Sequence, residues 1–291
     1  MPKVDTINAK DLAAQYGWAL SVLKSDPSLN RLFNRAVKQS WAPQRFVAEL
    51  RSTRWFRTHS EASRNAQVLR RTDPATWKQR FYETRAQVGD MSAQLGSRLT
   101  SAQLSRITNN VLNFGWNDAQ IKGVLAGSVR AGAHGTYGGQ AAVNAEQLRE
   151  VAQNNGVKVS DTSLRSWLQR ITGGEDMAGF EAYIRGMAAE TFPTWAEQLK
   201  AGQDVKTLAD PYVQQMAATL EINPAEIDLF TPEIRKALQS TSDASGKPLA
   251  QPMWAFEQSL KQDQRWRHTD GARNELDAVG KSVLKDFGLV S

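Results

Sequence analysis

The feature that most constrains this chain is a recurring helix-start signal. An Asp, Asn or Thr stands directly before a proline at Asp26–Pro27, Asp73–Pro74, Asn223–Pro224 and Thr231–Pro232. The leading side chain can accept a hydrogen bond from the unpaired N–H groups of a first helical turn. Proline suits the next position because the N–H it lacks would be unpaired there anyway. Asp11, Thr100, Asn117 or Asp118, Asp161 and Pro193 add further starts. Between the starts, apolar residues keep helical spacing. Leu12, Tyr16, Ala19, Leu20 and Leu23 share a face of 11–24, and Phe46 and Leu50 share one of 42–52. Trp77 and Phe81 belong to a helix that starts at Pro74 and runs to Leu95. No stretch alternates β-branched and aromatic residues with period two. The expected fold class is therefore all-α, a multi-helix array of short helical hairpins joined by tight turns. Two looser stretches interrupt it. GAHGTYGG at 132–139 reads as a flexible connector, with Gly132, Gly135, Gly138 and Gly139 as a hinge, and STSDASGKPLAQ at 240–251 reads as a loop.

Composition narrows the chemistry. Of 291 residues, 41% are hydrophobic, enough to build cores, so wholesale disorder is excluded. Cysteine is absent, which excludes disulfides, thiolate metal sites and cysteine nucleophiles. The three histidines, His59, His134 and His268, are far apart, so no metal or cofactor is expected. No apolar run is long enough to span a membrane, and the first residues hold no apolar signal core.

The chain echoes itself. Leu12-Ala13 and Tyr16 recur as Leu208-Ala209 and Tyr212; Asp26-Pro27 with Leu32-Phe33 recurs as Asn223-Pro224 with Leu229-Phe230. Phe46, Leu50, Phe56 and Arg57 recur as Phe256, Leu260, Trp266 and Arg267, and THSEASRNAQ recurs as HTDGARNEL. Smaller helix-turn-helix units lie between, at about 104–125 and 148–168. Three regions follow: a basic helical unit at 1–98, a middle of helical hairpins at 99–205, and a C-terminal unit at 206–291 that resembles the first. Residues 1–100 carry 17 Lys+Arg against 8 Asp+Glu, while 201–291 carry 10 against 13. A basic front and an acidic back suit head-to-tail self-association, or contact between the front and nucleic acid.

Candidate sites are of the binding kind. The nine tryptophans, spread one per helix or corner, read as core. Trp55 and Phe56 are adjacent on a helix and cannot both face one core, so one is expected to meet a partner. With Arg54 and Arg57 they form an aromatic–arginine corner, echoed at Arg265, Trp266 and Arg267. Arg70 and Arg71 extend the basic surface. The segment 147–171 has the outline of a DNA-reading helix-turn-helix, but any capped helix pair gives that outline. His134 and Tyr137 in the glycine loop lack a neighbouring carboxylate or serine. Glu181 and Glu190 lack the apolar pocket that a glycosidase acid requires. No catalytic residue is assigned, and the chain is expected not to be an enzyme.

The segments YGWALSVLKSDPSLNRLF, FVAELRSTRWFRTHSEASR, PYVQQMAATLEINPAEIDLFTPEIRKAL and RWRHTDGARNEL with SVLKDFGL together resemble a helical repeat of virion structural proteins from phages that infect actinobacteria, including minor tail and tape-measure-adjacent proteins. The resemblance implies an all-helical particle component, assembled in the host cytoplasm, whose partners are other virion proteins and copies of itself. It brings no catalytic motif. The alternative is a virion protein that contacts the packaged genome through its basic N-terminal third.

Overall fold

The structure, a computed structural model, describes residues 13–14, 18–132, 135–239, 241–242, 246 and 248–287. The chain is all-α. In unit order the N-terminal helices are α1 (Leu20–Leu23), α2 (Pro27–Lys38), α3 (Pro43–Ser52), α4 (Arg54–Thr58), α5 (Glu61–Thr72), α6 (Pro74–Leu95), α7 (Ser101–Phe114) and α8 (Asp118–Ala126). There follow α9 (Gly139–Asn154), α10 (Asp161–Thr172), α11 (Ala178–Thr191), α12 (Ala196–Lys200), α13 (Val205–Leu220), α14 (Pro232–Gln239), α15 (Met253–Lys261) and α16 (Asp270–Asp286).

Four start signals, Asp26, Asp73, Thr100 and Asn117, act as the sequence predicts. The Asp26 carboxylate accepts from Ser28 N–H at 2.7 Å, and that of Asp73 from Thr76 N–H at 3.0 Å. Thr100 with Gln103, and Asn117 with Gln120, form reciprocal capping boxes for α7 and α8. Gly96 and Gly115 close α6 and α7 at φ 76° and 67°, a left-handed backbone that glycine adopts without the Cβ strain other residues carry.

Two helix expectations are corrected. The helix expected over 11–24 does not run through: Trp18 N–H reaches back to the Ala13 carbonyl, Ala19 is extended, and a new turn begins at Leu20. The Trp18 ring meets Trp55 edge-on at 5.9 Å. Leu12 and Tyr16 lie outside the described residues. Asn223–Pro224 opens only the 3-10 turn Pro224–Glu226, since Ile227 is extended and buried. The loop at 240–251 carries a two-residue antiparallel ladder, Thr241–Ser242 against Pro248–Leu249.

Contacts divide the chain into two compact units. Unit 1 comprises Met1–Ala142 with Thr172–Gly174; unit 2 comprises Val143–Ile171 with Glu175–Ser291. The boundaries drawn from sequence near 98 and 205 fall at helix junctions inside these units, and α6 packs on α7 across residue 98. Two apolar clusters lie among the described residues of unit 1. One joins Leu29, Leu32 and Phe33 of α2 to Phe46, Leu50 and Trp55; the other joins Val88 and Leu95 of α6 to Ile107, Ile121 and Leu125. In unit 2, Phe180, Phe192, Tyr212, Met216, Phe256 and Leu260 are buried. Tyr212 packs at 5.4 Å from Phe256 and donates to the Gln251 carbonyl at 2.6 Å. Burial raises its phenol above the ordinary value.

Charge follows the unit boundary more sharply than the sequence thirds. Unit 1 carries 20 Lys+Arg against 9 Asp+Glu, a net of +11; unit 2 carries 16 against 21, a net of −5. Among the described residues, the ion pairs lie in unit 2.

Candidate functional site

The corner at 54–57 is not the exposed aromatic surface that the sequence suggests. Trp55 is buried, 3% exposed, and stacks on His59 with ring centres 5.2 Å apart. Its indole N–H donates to Gln67 Oε1 at 3.3 Å. Phe56 is half-buried, packs against the same core, and is covered by the Arg64 guanidinium 3.9 Å from its ring centre. The physical reason is the shortness of α4. Five residues between two caps, Thr53 and His59, turn the chain sharply enough that both neighbouring aromatics pack on one core. Arg54 and Arg57 remain exposed.

The echo at 265–267 is built otherwise. These residues form a 3-10 turn, Gln264–His268. Arg265 is engaged: its guanidinium pairs with Asp263 and with Glu233. The Arg265 hydrogen bond holds the Asp263 carboxyl down at about 2. Trp266 is half-buried and Arg267 exposed, and both line a cleft of about 410 Å³ with Ala272, Leu276 and Val279 of α16.

The glycine loop is less a hinge than a close-packing device. A Cβ on Gly139, at φ 51°, would collide with the Gln94 carbonyl; one on Gly96 would collide with the Gly138 carbonyl; one on Gly132 would meet the Arg98 guanidinium. The start of α9 therefore lies directly against the end of α6. Only Gly135, at φ 71°, has open space around it. His134 lies outside the described residues.

The enzyme readings gain no geometry. Glu181 and Glu190 stand nine residues apart on α11, which turns them to opposite faces, and Glu181 pairs with Arg185. Among the described residues, no group of His, Asp and Glu converges to hold a metal ion. In the helix-turn-helix outline, Leu168 is fully buried and Trp167 packs on Phe180 and Tyr183.

Two surfaces escape a reading of the sequence. The first is α16. Leu276, Val279 and Val283 lie on one face of it, Phe287 follows at its C-cap, and the four are 73%, 56%, 47% and 75% exposed. Only Ala272 of this helix is buried. Their spacing was visible, but the polar start DGARNEL draws attention away from it. The second is a cleft of about 940 Å³ beside the α4–α5 corner, where His59, Ser63, Arg70 and Arg71 face Asn113 and Phe114 at the end of α7. Phe114 is 59% exposed. His59 Nδ1 donates to the Trp55 carbonyl at 2.8 Å, which leaves Nε2 as its remaining polar atom. Arg70 and Arg71 are exposed on the last turn of α5 and make no ion pair among the described residues. No signal short of the fold brings 113–114 to 59–71.

Comparison of the chain with protein-family models, with curated proteins and with solved structures finds no match.

Proposed function

We propose that this chain is a non-enzymatic structural protein of an actinobacteriophage particle that works by assembly, with copies of itself and with other virion proteins. The phage setting rests on the resemblance of its helical segments. The assembly reading rests on one observation, the uncovered apolar face of α16. A row of large apolar side chains in water is unfavourable by roughly 25 cal/mol for each Å² left exposed, and such rows mark contact surfaces. The echoed helix in unit 1 sharpens the point. There α5 is covered by α1, α6 and α7, whereas α16 packs mainly on the preceding 3-10 turn. The opposite net charges of the two units favour association of basic against acidic bodies, weakened by salt.

Light scattering of the purified protein tests this. A defined oligomer is expected at low salt, and Leu276→Glu with Val283→Glu should reduce it to the monomer mass with little change in melting temperature, because both side chains already face water. A monomer at every salt concentration, for the unaltered chain, would overturn self-assembly.

A further inference from the structure

We propose that the cleft at the α4–α5 corner binds single-stranded nucleic acid, with Arg70 and Arg71 holding phosphates and Phe114 stacking on an unpaired base.

Three observations support this. The first is charge without compensation. The cleft lies in the unit of net +11, and its two arginines have no carboxylate partner among the described residues. The nearest acid along the chain, Asp73, is occupied as the cap of α6, accepting from both the N–H and the hydroxyl of Thr76. A guanidinium presents a planar fork of donors that matches a phosphate, and two adjacent ones at a helix end reach neighbouring phosphates.

The second is the exposed aromatic. Phe114 ends α7 because Gly115 takes a left-handed conformation there, and its ring is left at the cleft edge instead of in the Ile107 core. An aromatic face beside arginines is the arrangement that accepts an unstacked base, and every base offers such a face. A duplex keeps its bases paired and gives Phe114 nothing to stack on, so the single strand is the form that uses both parts of the cleft.

The third is the remaining lining. Asn113 and Ser63 are short neutral hydrogen-bonding side chains, and His59 is held in orientation by its bond to the Trp55 carbonyl and by stacking on the Trp55 ring. The volume, about 940 Å³, lies within the range of sites that enclose a ligand of a few rings.

The experiment is fluorescence anisotropy of a labelled oligothymidylate of about 12 nucleotides, a length within single-strand site sizes, titrated with the full chain. Binding in the micromolar range is expected at about 50 mM salt, falling steeply as salt rises. Arg70→Ala with Arg71→Ala should reduce affinity tenfold or more and flatten the log–log salt slope by about 1.4, the single-strand value for two phosphates. Phe114→Ala should reduce affinity about fivefold or more and leave the slope unchanged, the mark of lost stacking. All three side chains are exposed, and circular dichroism of the variants confirms that they fold. Lys122→Ala, on α8 outside the cleft, should leave binding as it is. No binding at about 50 mM salt would overturn the proposal. So would binding that the cleft variants do not weaken, and so would an equal or greater affinity for duplex of the same length.

Discussion

Glu221 ends α13 in a left-handed conformation, φ 51°, and from there its carboxylate accepts the backbone N–H of Gly271 at 2.8 Å, fifty residues further on. Its second oxygen accepts from Asp270 N–H at 2.9 Å. One side chain thus caps the first turn of α16 from another helix, and those hydrogen bonds hold its carboxyl below the ordinary value. This is one of the ties that hold the helix bearing the exposed apolar stripe, beside the Thr269 cap and the Lys261–Glu275 ion pair.

Glu221→Ala should therefore loosen α16 from its N-terminus without unfolding unit 2. Hydrogen exchange is the suitable readout: protection at 270–275 should fall on the order of tenfold, while the buried part of α13 keeps its own. Glu221→Gly relieves the strained φ and removes the same two bonds, so equal loss in both variants assigns the effect to the cap.

Trp55→Ala should cost stability, not assembly. The indole is buried against Trp18 and His59, and removing it leaves a cavity in the first core of unit 1. A loss of about 3–5 kcal/mol is expected in denaturant unfolding. An unchanged midpoint with disrupted assembly would return Trp55 to the surface role that its sequence context suggests.

Gly139→Ala should destabilise unit 1 by about 1–3 kcal/mol, because the new Cβ meets the Gln94 carbonyl at a left-handed φ. Gly135→Ala, left-handed but in open space, should cost about 1–2 kcal/mol at most. If Gly139 were a hinge, the alanine would stiffen the unfolded chain and raise the melting temperature instead.

The Asp263–Arg265 pair predicts a response to acid. The Asp263 carboxyl titrates near 2 when folded, below its ordinary 3.8, so the stabilisation it brings is complete above about 4. It is lost as the pH falls through 2. The melting temperature should decline over that window. Asp263→Asn, which can still cap the turn, should lower stability at neutral pH and remove this part of the decline.

The helical character of the chain and most of its helix starts were legible in the residues. A capping carboxylate, amide or hydroxyl acts within one turn, and such local hydrogen bonds form whatever lies elsewhere. Asp26, Asp73, Thr100 and Asn117 all act so. Which side chains stay exposed was not legible in the same way. Trp55 and Phe56 read as surplus aromatics because a regular helix points neighbours apart, and only the sharp α4 turn brings both to one core. The glycines at 132–139 read as freedom because their composition is loose, and only the close approach of α6 shows that the missing Cβ of Gly139 makes room. The α16 stripe had its spacing on the page, but exposure is a property of neighbours, and spacing alone cannot say whether a neighbour is there. Local sequence determined where helices begin and which residues they could bury. Tertiary structure decided which of those were buried, because burial depends on contacts between residues far apart in the chain.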